Sequence, residues 1–387
     1  STKPVVTLDV LSVVAITLLV AAPLRLALLD VIPPGLWLDE AAEGIDALAL
    51  GHNGNWPVFL VANNGREPLF AYVVAGLFAV LGPGVLPLRL ASALLGIASV
   101  PAAYLCTREL FGRPTAVFTA LVLAVSGWHL HLSRLAVRPV ALPLFEALTL
   151  FFLWRALRTG RIWAGAASGL CLGLSFYTYL PARLLPVVIV PAVVFWLLSS
   201  ASRMESIRRA LVVLAGVIVV AAIVAVPLGL YFWQRPADFL GRAEQVSIAN
   251  AIRTGADVGQ TVISNVLKTL GMFFVQGDTN PRHNLAGQPV FDIPLAALAV
   301  LGLVLSIRRI RQPAYATLVW WLLVMMAPAV ASDSAPHFLR SDGLIPAVFT
   351  LPAIGLAFLW GSMGSARGVL RWAPRAIAVV VVVVGLA

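Results

Sequence analysis

Two carboxylates stand side by side in GLWLDEAAE (35–43), just past an apolar run, in a chain with only 11% charged residues. The stretch from Asp39 to Leu50 has helix-forming composition. In it Asp39, Glu43 and Asp46 recur at i, i+4 and i+7 and so share one helix face. Like charges on one face repel, so this is either a well-solvated surface or a site that needs them. In NNGREPLFAY (63–72), Arg66 and Glu67 open another apolar segment. A guanidinium at headgroup depth can grip a phosphate through its planar fork, but it also serves as a topological anchor or as a partner for Glu67. Four further clusters carry polar side chains at the ends of apolar runs: WHLHLSRLAVRP (128–139), FYTYLPAR (176–183), VQGDTNPRHNLAGQP (275–289) and SDSAPHFLRSDG (332–343). Each reads as a binding surface or as interfacial and solvated residues. His129 and His131, at i and i+2, do not share a helix face, which argues against a two-histidine metal site there. Glu146, inside an apolar run, is a functional candidate by position; it is left outside the catalytic set because an arginine on a neighbouring span can neutralise it.

The elements that hold these residues follow from composition. Sixty per cent of the 387 residues are apolar, whereas a soluble domain carries about 25% charged residues. The expected fold is an all-α polytopic membrane protein. Apolar runs fall at roughly 9–29, 69–81, 86–106, 114–129, 140–156, 162–180, 184–200, 210–233, 291–307, 314–331, 343–361 and 375–387. Basic clusters separate them at 107–113, 155–161, 202–209, 308–312 and 365–375. The formal charge of +10 resides largely in these clusters, so it reads as the positive-inside pattern and not as a nucleic-acid surface.

Parity then decides one segment. If every run spans and the N-terminus is cytoplasmic, the clusters at 107–113, 155–161 and 202–209 fall outside. If 69–81 does not cross, all five fall inside. That run is short and bounded by Pro68 and Gly82-Pro83-Gly84, as an interfacial segment would be. The expectation is about eleven spans in a single transmembrane domain over 1–387. A first external loop covers about 30–85 and carries juxtamembrane helices; a long external loop covers about 234–290. The chain stops inside the last run, and more protein is expected beyond it. Cys106 and Cys171 lie in apolar runs and read as inert buried thiols.

WLDEAAEGIDAL followed by GREPLFAY resembles the first-loop pattern of the GT-C glycosyltransferases of the protein O-mannosyltransferase and aminoarabinose transferase type. PLRLASALLGIASVPAAYLCTRELFGR (87–113) and the block 126–157 look like the next two family segments. The sequence departs from the pattern where Arg66-Glu67-Pro68 replaces a Lys-Pro-Pro element, and where Val140 follows Arg138-Pro139 in place of an aspartate. The resemblance implies a GT-C transmembrane bundle and an inverting hexosyl or pentosyl transferase. Its donor is a polyprenyl-phosphate sugar, and its acceptor is a hydroxyl of a protein, lipid or glycan on the extracytoplasmic face. Such an acceptor needs a carboxylate to take its proton, and the leaving lipid phosphate needs fixed cations. The implied catalytic residues are Asp39, as general base, and Glu40. The implied phosphate-binding residues are Arg66, Arg134, Arg138, Arg183 and Arg340. The implied sugar or acceptor contacts are Glu43, Glu67, His131, Tyr177, Tyr179, Asp278, Arg282, His283, Asn284 and His337. There is no DxD, so no metal or other cofactor is expected. The implied location is a prokaryotic cytoplasmic membrane with the N-terminus cytoplasmic.

The competing reading is a multi-span transporter or lipid flippase with an external polar cavity. It calls for paired halves with broken helices near mid-membrane, and no such symmetry is visible. The topology predicts that a cysteine at Gly84 reacts with a membrane-impermeant thiol reagent added outside. Labelling only from the cytoplasmic side would contradict it.

Overall fold

The structure, a computed structural model, describes residues 3–53, 56–62, 65–200, 203–245, 247–248, 253, 255 and 257–363. The described chain is helical and has two isolated β-bridges, Leu60 with Arg66 and Ser247 with Ser332. Helix α1 covers 3–26 and carries a π turn at Thr17–Ala21. The first loop then holds α2 (Leu38–Asn53) and α3 (Leu69–Leu81), before the long α4 (Val85–Phe111). Gly112, at φ 88°, turns the chain from α4 into α5 (Arg113–Val125). Ser126 caps α6 (Gly127–Arg134) by accepting from the His129 amide at 3.3 Å.

Seven described segments are long and apolar enough to cross a membrane, and eight if the bent pair α5–α6 is one span. The protein is an integral membrane protein. Of the eleven expected spans, Ile162–Ser175 (α8) and Ile293–Arg308 (α13) are helices of 14 and 16 residues, below that length. The last expected span, 375–387, lies outside the described residues, as does the basic cluster 365–375.

Ion pairs identify the two ends of the bundle. At one end Asp9 pairs with Arg108 and Arg113, and Glu109 pairs with Arg158 at 2.8 Å. Arg209 reaches the carbonyls of Leu157 and Arg158, at 3.4 and 3.3 Å. Arg309 donates to the hydroxyl of Tyr315, whose ring lies 5.0 Å from that of Phe111. Four of the five basic clusters therefore assemble at one end. At the other end Arg89, one turn into α4, reaches back to the carbonyls of Leu29 and Pro33, just beyond α1. The chain thus leaves α1 and enters α4 at the same end. Between those two points the chain forms the 13-residue α3, about 20 Å long at 1.5 Å per residue.

Close helix contacts rest on small residues, as they do where lipid supplies no hydrophobic drive between helices. On α8, a Cβ at Gly169 would come 2.5 Å from the carbonyl oxygen of Val217 on the helix Arg203–Gln234 (α10). A Cβ at Gly302 on α13 would overlap the carbonyl of Leu351 on the helix Ile345–Met363 (α15), and one at Gly355 that of Leu298. Gly302→Leu should therefore force α13 and α15 apart at a cost of about 3 kcal/mol, read as a lower midpoint of thermal unfolding in detergent. Gly76→Ala, where a Cβ meets nothing within 4 Å, should leave the midpoint unchanged.

Candidate active site

Glu40 is the residue around which the first loop closes. It is fully buried, and its Oε1 accepts from Arg89 Nε at 3.0 Å and from the Ala136 amide at 3.0 Å. Its Oε2 accepts from Arg89 Nη2 at 3.3 Å and from the Trp37 amide at 3.0 Å. That last contact is the reciprocal half of a capping box: the N3 glutamate of α2 satisfies the N–H of the residue preceding the helix. Arg89 spends its remaining donors on the carbonyls of Leu29, Pro33 and Gly35. One carboxylate and one guanidinium therefore join α2, α4, the 29–37 crossing and the 135–137 link.

With Glu40 turned inward, the acidic face of α2 points the other way. Glu43 and Asp46 both pair with the buried Arg66, Glu43 at 3.4 Å, so the like charges share a cation. Burial pushes the Glu43 carboxyl up to about 6 against the opposing pull of Arg138 and Arg66, and burial also raises Asp46. Arg66 does not pair with its neighbour Glu67. Glu67 instead sits between Arg138, at 3.7 Å, and Arg183, at 3.8 Å. Arg138 lies over the Tyr179 ring and Arg183 over the rings of Phe239 and Phe232, with centroid distances of 5.5, 4.4 and 5.2 Å.

These side chains wall a cavity of about 460 Å³ at the end opposite the basic clusters. Five arginines line it (Arg66, Arg138, Arg183, Arg282 and Arg340) against two carboxylates, Asp39 and Glu43. Arg66 Nε and Arg138 Nη1 are buried without a hydrogen-bond partner. The rest of the wall is apolar and includes Leu180, Leu184, Phe239, Pro328 and Leu339. At one edge Asp39, whose side chain is 40% exposed, holds Arg282 Nη1 at 2.8 Å through Oδ2. Arg282 is held in turn: His131 Nε2 donates to its carbonyl at 3.3 Å, and its Nη2 donates to His283 Nε2 at 3.1 Å. His283 Nδ1 donates to Asp278 at 2.5 Å, and its ring stacks on His337 at 4.3 Å. Burial pushes Asp278 up, but the His283 hydrogen bond and the Asn280 amide outweigh it and hold the carboxyl below its usual range. His337 is pushed well down by burial and by Arg340.

The site is thus a cationic cavity with an apolar wall and an accessible carboxylate, Asp39, at its edge. Residues 65–230 match the family described as dolichyl-phosphate-mannose-protein mannosyltransferase. Among curated proteins none matches the sequence. The structure is similar to that of the oligosaccharyltransferase of Archaeoglobus fulgidus in its apo form, at 15% identity and a TM-score of 0.66, over 100% of this chain and 56% of that one. It is also similar to ArnT from Cupriavidus metallidurans bound to undecaprenyl phosphate, at 17% identity and a TM-score of 0.62, over 100% of this chain and 71% of that one. The fold is that of the GT-C glycosyltransferases. The chain spans about half the length of the archaeal enzyme.

Within this GT-C fold, Asp39, Glu43, Arg66, Arg138, Tyr179, Arg183, Arg282, His337 and Arg340 converge on the cavity. Other residues singled out from the sequence do not line it. Glu40 closes the loop, and Glu67 joins two of the arginines. Arg134 clamps the carbonyls of Leu24, in the last turn of α1, and of Ala27, Leu28 and Ile32 just beyond it. Tyr177 donates to the carbonyl of Val224 at 2.8 Å and accepts the Leu69 amide on its own carbonyl. His131, Asp278 and His283 stand behind Arg282. Asn284 is buried and reaches the Gln288 carbonyl at 3.4 Å. Sequence reasoning passed over Arg89, and also Arg25, which is fully buried against His129 and the carbonyls of Ala21 and Ala124. The available signal was a lone charge within an apolar run.

Arg89→Ala leaves Glu40 buried without its cation and should cost about 3–5 kcal/mol, measured by thermal unfolding in detergent. Adding Glu40→Ala should recover part of the loss. An unchanged midpoint in Arg89→Ala would refute the central role given to this pair.

Proposed function

We propose that the protein is a glycosyltransferase that moves a sugar from a polyprenyl-phosphate donor to an acceptor hydroxyl, with Asp39 as general base. The observation that carries this reading is the juxtaposition in one cavity of a half-exposed carboxylate, an excess of arginines and an apolar wall. The solved ArnT of the same fold, bound to undecaprenyl phosphate, supports it.

In this reading the polyprenyl chain lies along the apolar wall near Leu180, Leu184 and Phe239, and its phosphate meets Arg66, Arg138, Arg183 and Arg340. Rings stacked beneath Arg138 and Arg183 hold each guanidinium plane in place while its N–H groups face the phosphate. The acceptor oxygen approaches from the Asp39 edge. Its proton passes to the Asp39 carboxylate as its lone pair forms the bond to the anomeric carbon. The bond from that carbon to the phosphate oxygen breaks, and the electron pair leaves on the phosphate, where the arginines stabilise it. Attack opposite the leaving group inverts the anomeric centre. Arg282 fixes the Asp39 rotamer, and Glu40 acts one step back by fixing α2. The basic clusters at the far end support a cytoplasmic placement for that end and an extracytoplasmic one for the cavity, in a prokaryotic cytoplasmic membrane. We read residues 1–387 as one transmembrane domain.

The test is transfer from a panel of radiolabelled polyprenyl-phosphate hexoses and pentoses. Asp39→Asn should lower transfer by at least ~10²-fold while the protein stays folded in detergent and still binds polyprenyl phosphate. Wild-type rates in that variant would remove Asp39 from the chemistry.

A further inference from the structure

Beside the arginine cavity, behind Arg282, Asp278, His283 and His337 converge from two loops far apart in sequence. Among the described residues they are the one group of three histidine, cysteine or carboxylate donors close enough to hold a metal ion. Each is buried, at 7, 3 and 8% exposure, and their ligand atoms all lie within 4.8 Å of one another. The group borders a second cavity, of about 620 Å³, also lined by Gly277, Thr279 and Asn280.

The chemistry of the set is specific. One carboxylate and two imidazoles suit a first-row divalent ion of zinc type, whereas magnesium and calcium prefer all-oxygen shells. Bonds of about 2.0–2.2 Å in tetrahedral geometry place donors roughly 3.4 Å apart. The Asp278–His283 pair, now at 2.5 Å, would open by about 1 Å, and no donor pair, all lying within 4.8 Å, would have to close by more than about 1.4 Å. Side-chain rotation can supply both. The carboxylate is already oriented, since Asp278 accepts from the Asn280 amide at 2.9 Å and the Phe338 amide at 3.3 Å. Such outer contacts fix metal ligands in place. The proton that His283 Nδ1 shares with Asp278 occupies the position an ion would take. Two cations stand nearby, but each is paired with a carboxylate at 2.8 Å: Arg282 with Asp39, and Arg340 with Asp333.

We propose that Asp278, His283 and His337 are the protein ligands of a mononuclear zinc-type divalent metal site, with the remaining coordination open to water from the second cavity. The site does not depend on the transferase reading, because none of its donors is an arginine assigned to the phosphate, although His337 also lines the arginine cavity. It touches that cavity again through His283, which carries Arg282, which holds Asp39.

The full chain, purified in detergent and stripped with EDTA, is titrated with ZnCl₂ by calorimetry and with CoCl₂ by visible absorption. The expected result is one ion per chain and the intense d–d bands of low-symmetry cobalt. His283→Ala and His337→Ala should each weaken zinc binding by roughly 100-fold or more and abolish those bands. Gel filtration and helical circular dichroism report folding. If an alanine variant does not fold, His337→Gln and Asp278→Asn, which keep side-chain size, take its place with the same expected loss. No saturable uptake by the wild-type chain would overturn the site. Uptake undiminished in the folded His283→Ala/His337→Ala or Asp278→Asn/His337→Gln double variant would overturn it as well.

Discussion

The contact between Glu40 and Arg89 constrains everything else at the cavity end. A carboxylate with no solvent exposure is tolerable only when its oxygens are satisfied. Here a two-pronged guanidinium and two backbone amides satisfy them. Both partners are locked because each also closes backbone: Glu40 caps its own helix, and Arg89 collects the carbonyls of the crossing from α1. The pair fixes the rotation of α2 about its axis. Turning α2 by one residue would carry Glu40 away from Arg89 and the two amides and put the shorter Asp39 side chain in its place.

The rest of the site follows from that rotation. Once Glu40 faces inward, Asp39 faces the cavity edge and Glu43 and Asp46 face Arg66. The like-charge repulsion on α2 is relieved by one shared cation and by separate placement of Asp39. The opposite wall uses a similar economy, with Glu67 between Arg138 and Arg183. Five arginines can thus stand around one cavity because most have a carboxylate nearby, while a surplus of positive charge remains facing the space. On the proposed reading, that surplus is what a lipid phosphate meets.

Much of this was legible in the sequence, for reasons that are one-dimensional. Hydropathy and basic clusters are local properties, and parity turned them into an expected topology in which 69–81 does not cross. The i, i+4, i+7 spacing placed Asp39, Glu43 and Asp46 on one face of a real helix. Sequence did not show which of two adjacent carboxylates faces the cavity, because that depends on the packing of α2 against α4. Arg89 and Arg25 were hidden for a related reason: a single charge barely alters the mean hydropathy of a long run, although burying it demands a dedicated partner set. Asp278, His283 and His337 lie on two loops, so no fixed spacing links them. The neighbour pairing of Arg66 with Glu67 was the natural local guess, and the fold replaced it with partners on α2.

The central claim is that this cavity holds a lipid phosphate within reach of Asp39. The most direct measurement is an electron cryomicroscopy structure of the protein in lipid nanodiscs with an added polyprenyl phosphate. The account predicts phosphate density in hydrogen-bond contact with Arg138 and Arg183, the isoprenoid chain along Leu180 and Leu184, and Asp39 facing the same space. Phosphate bound at the opposite end of the bundle, or an arginine cavity left empty at saturating lipid, would contradict it.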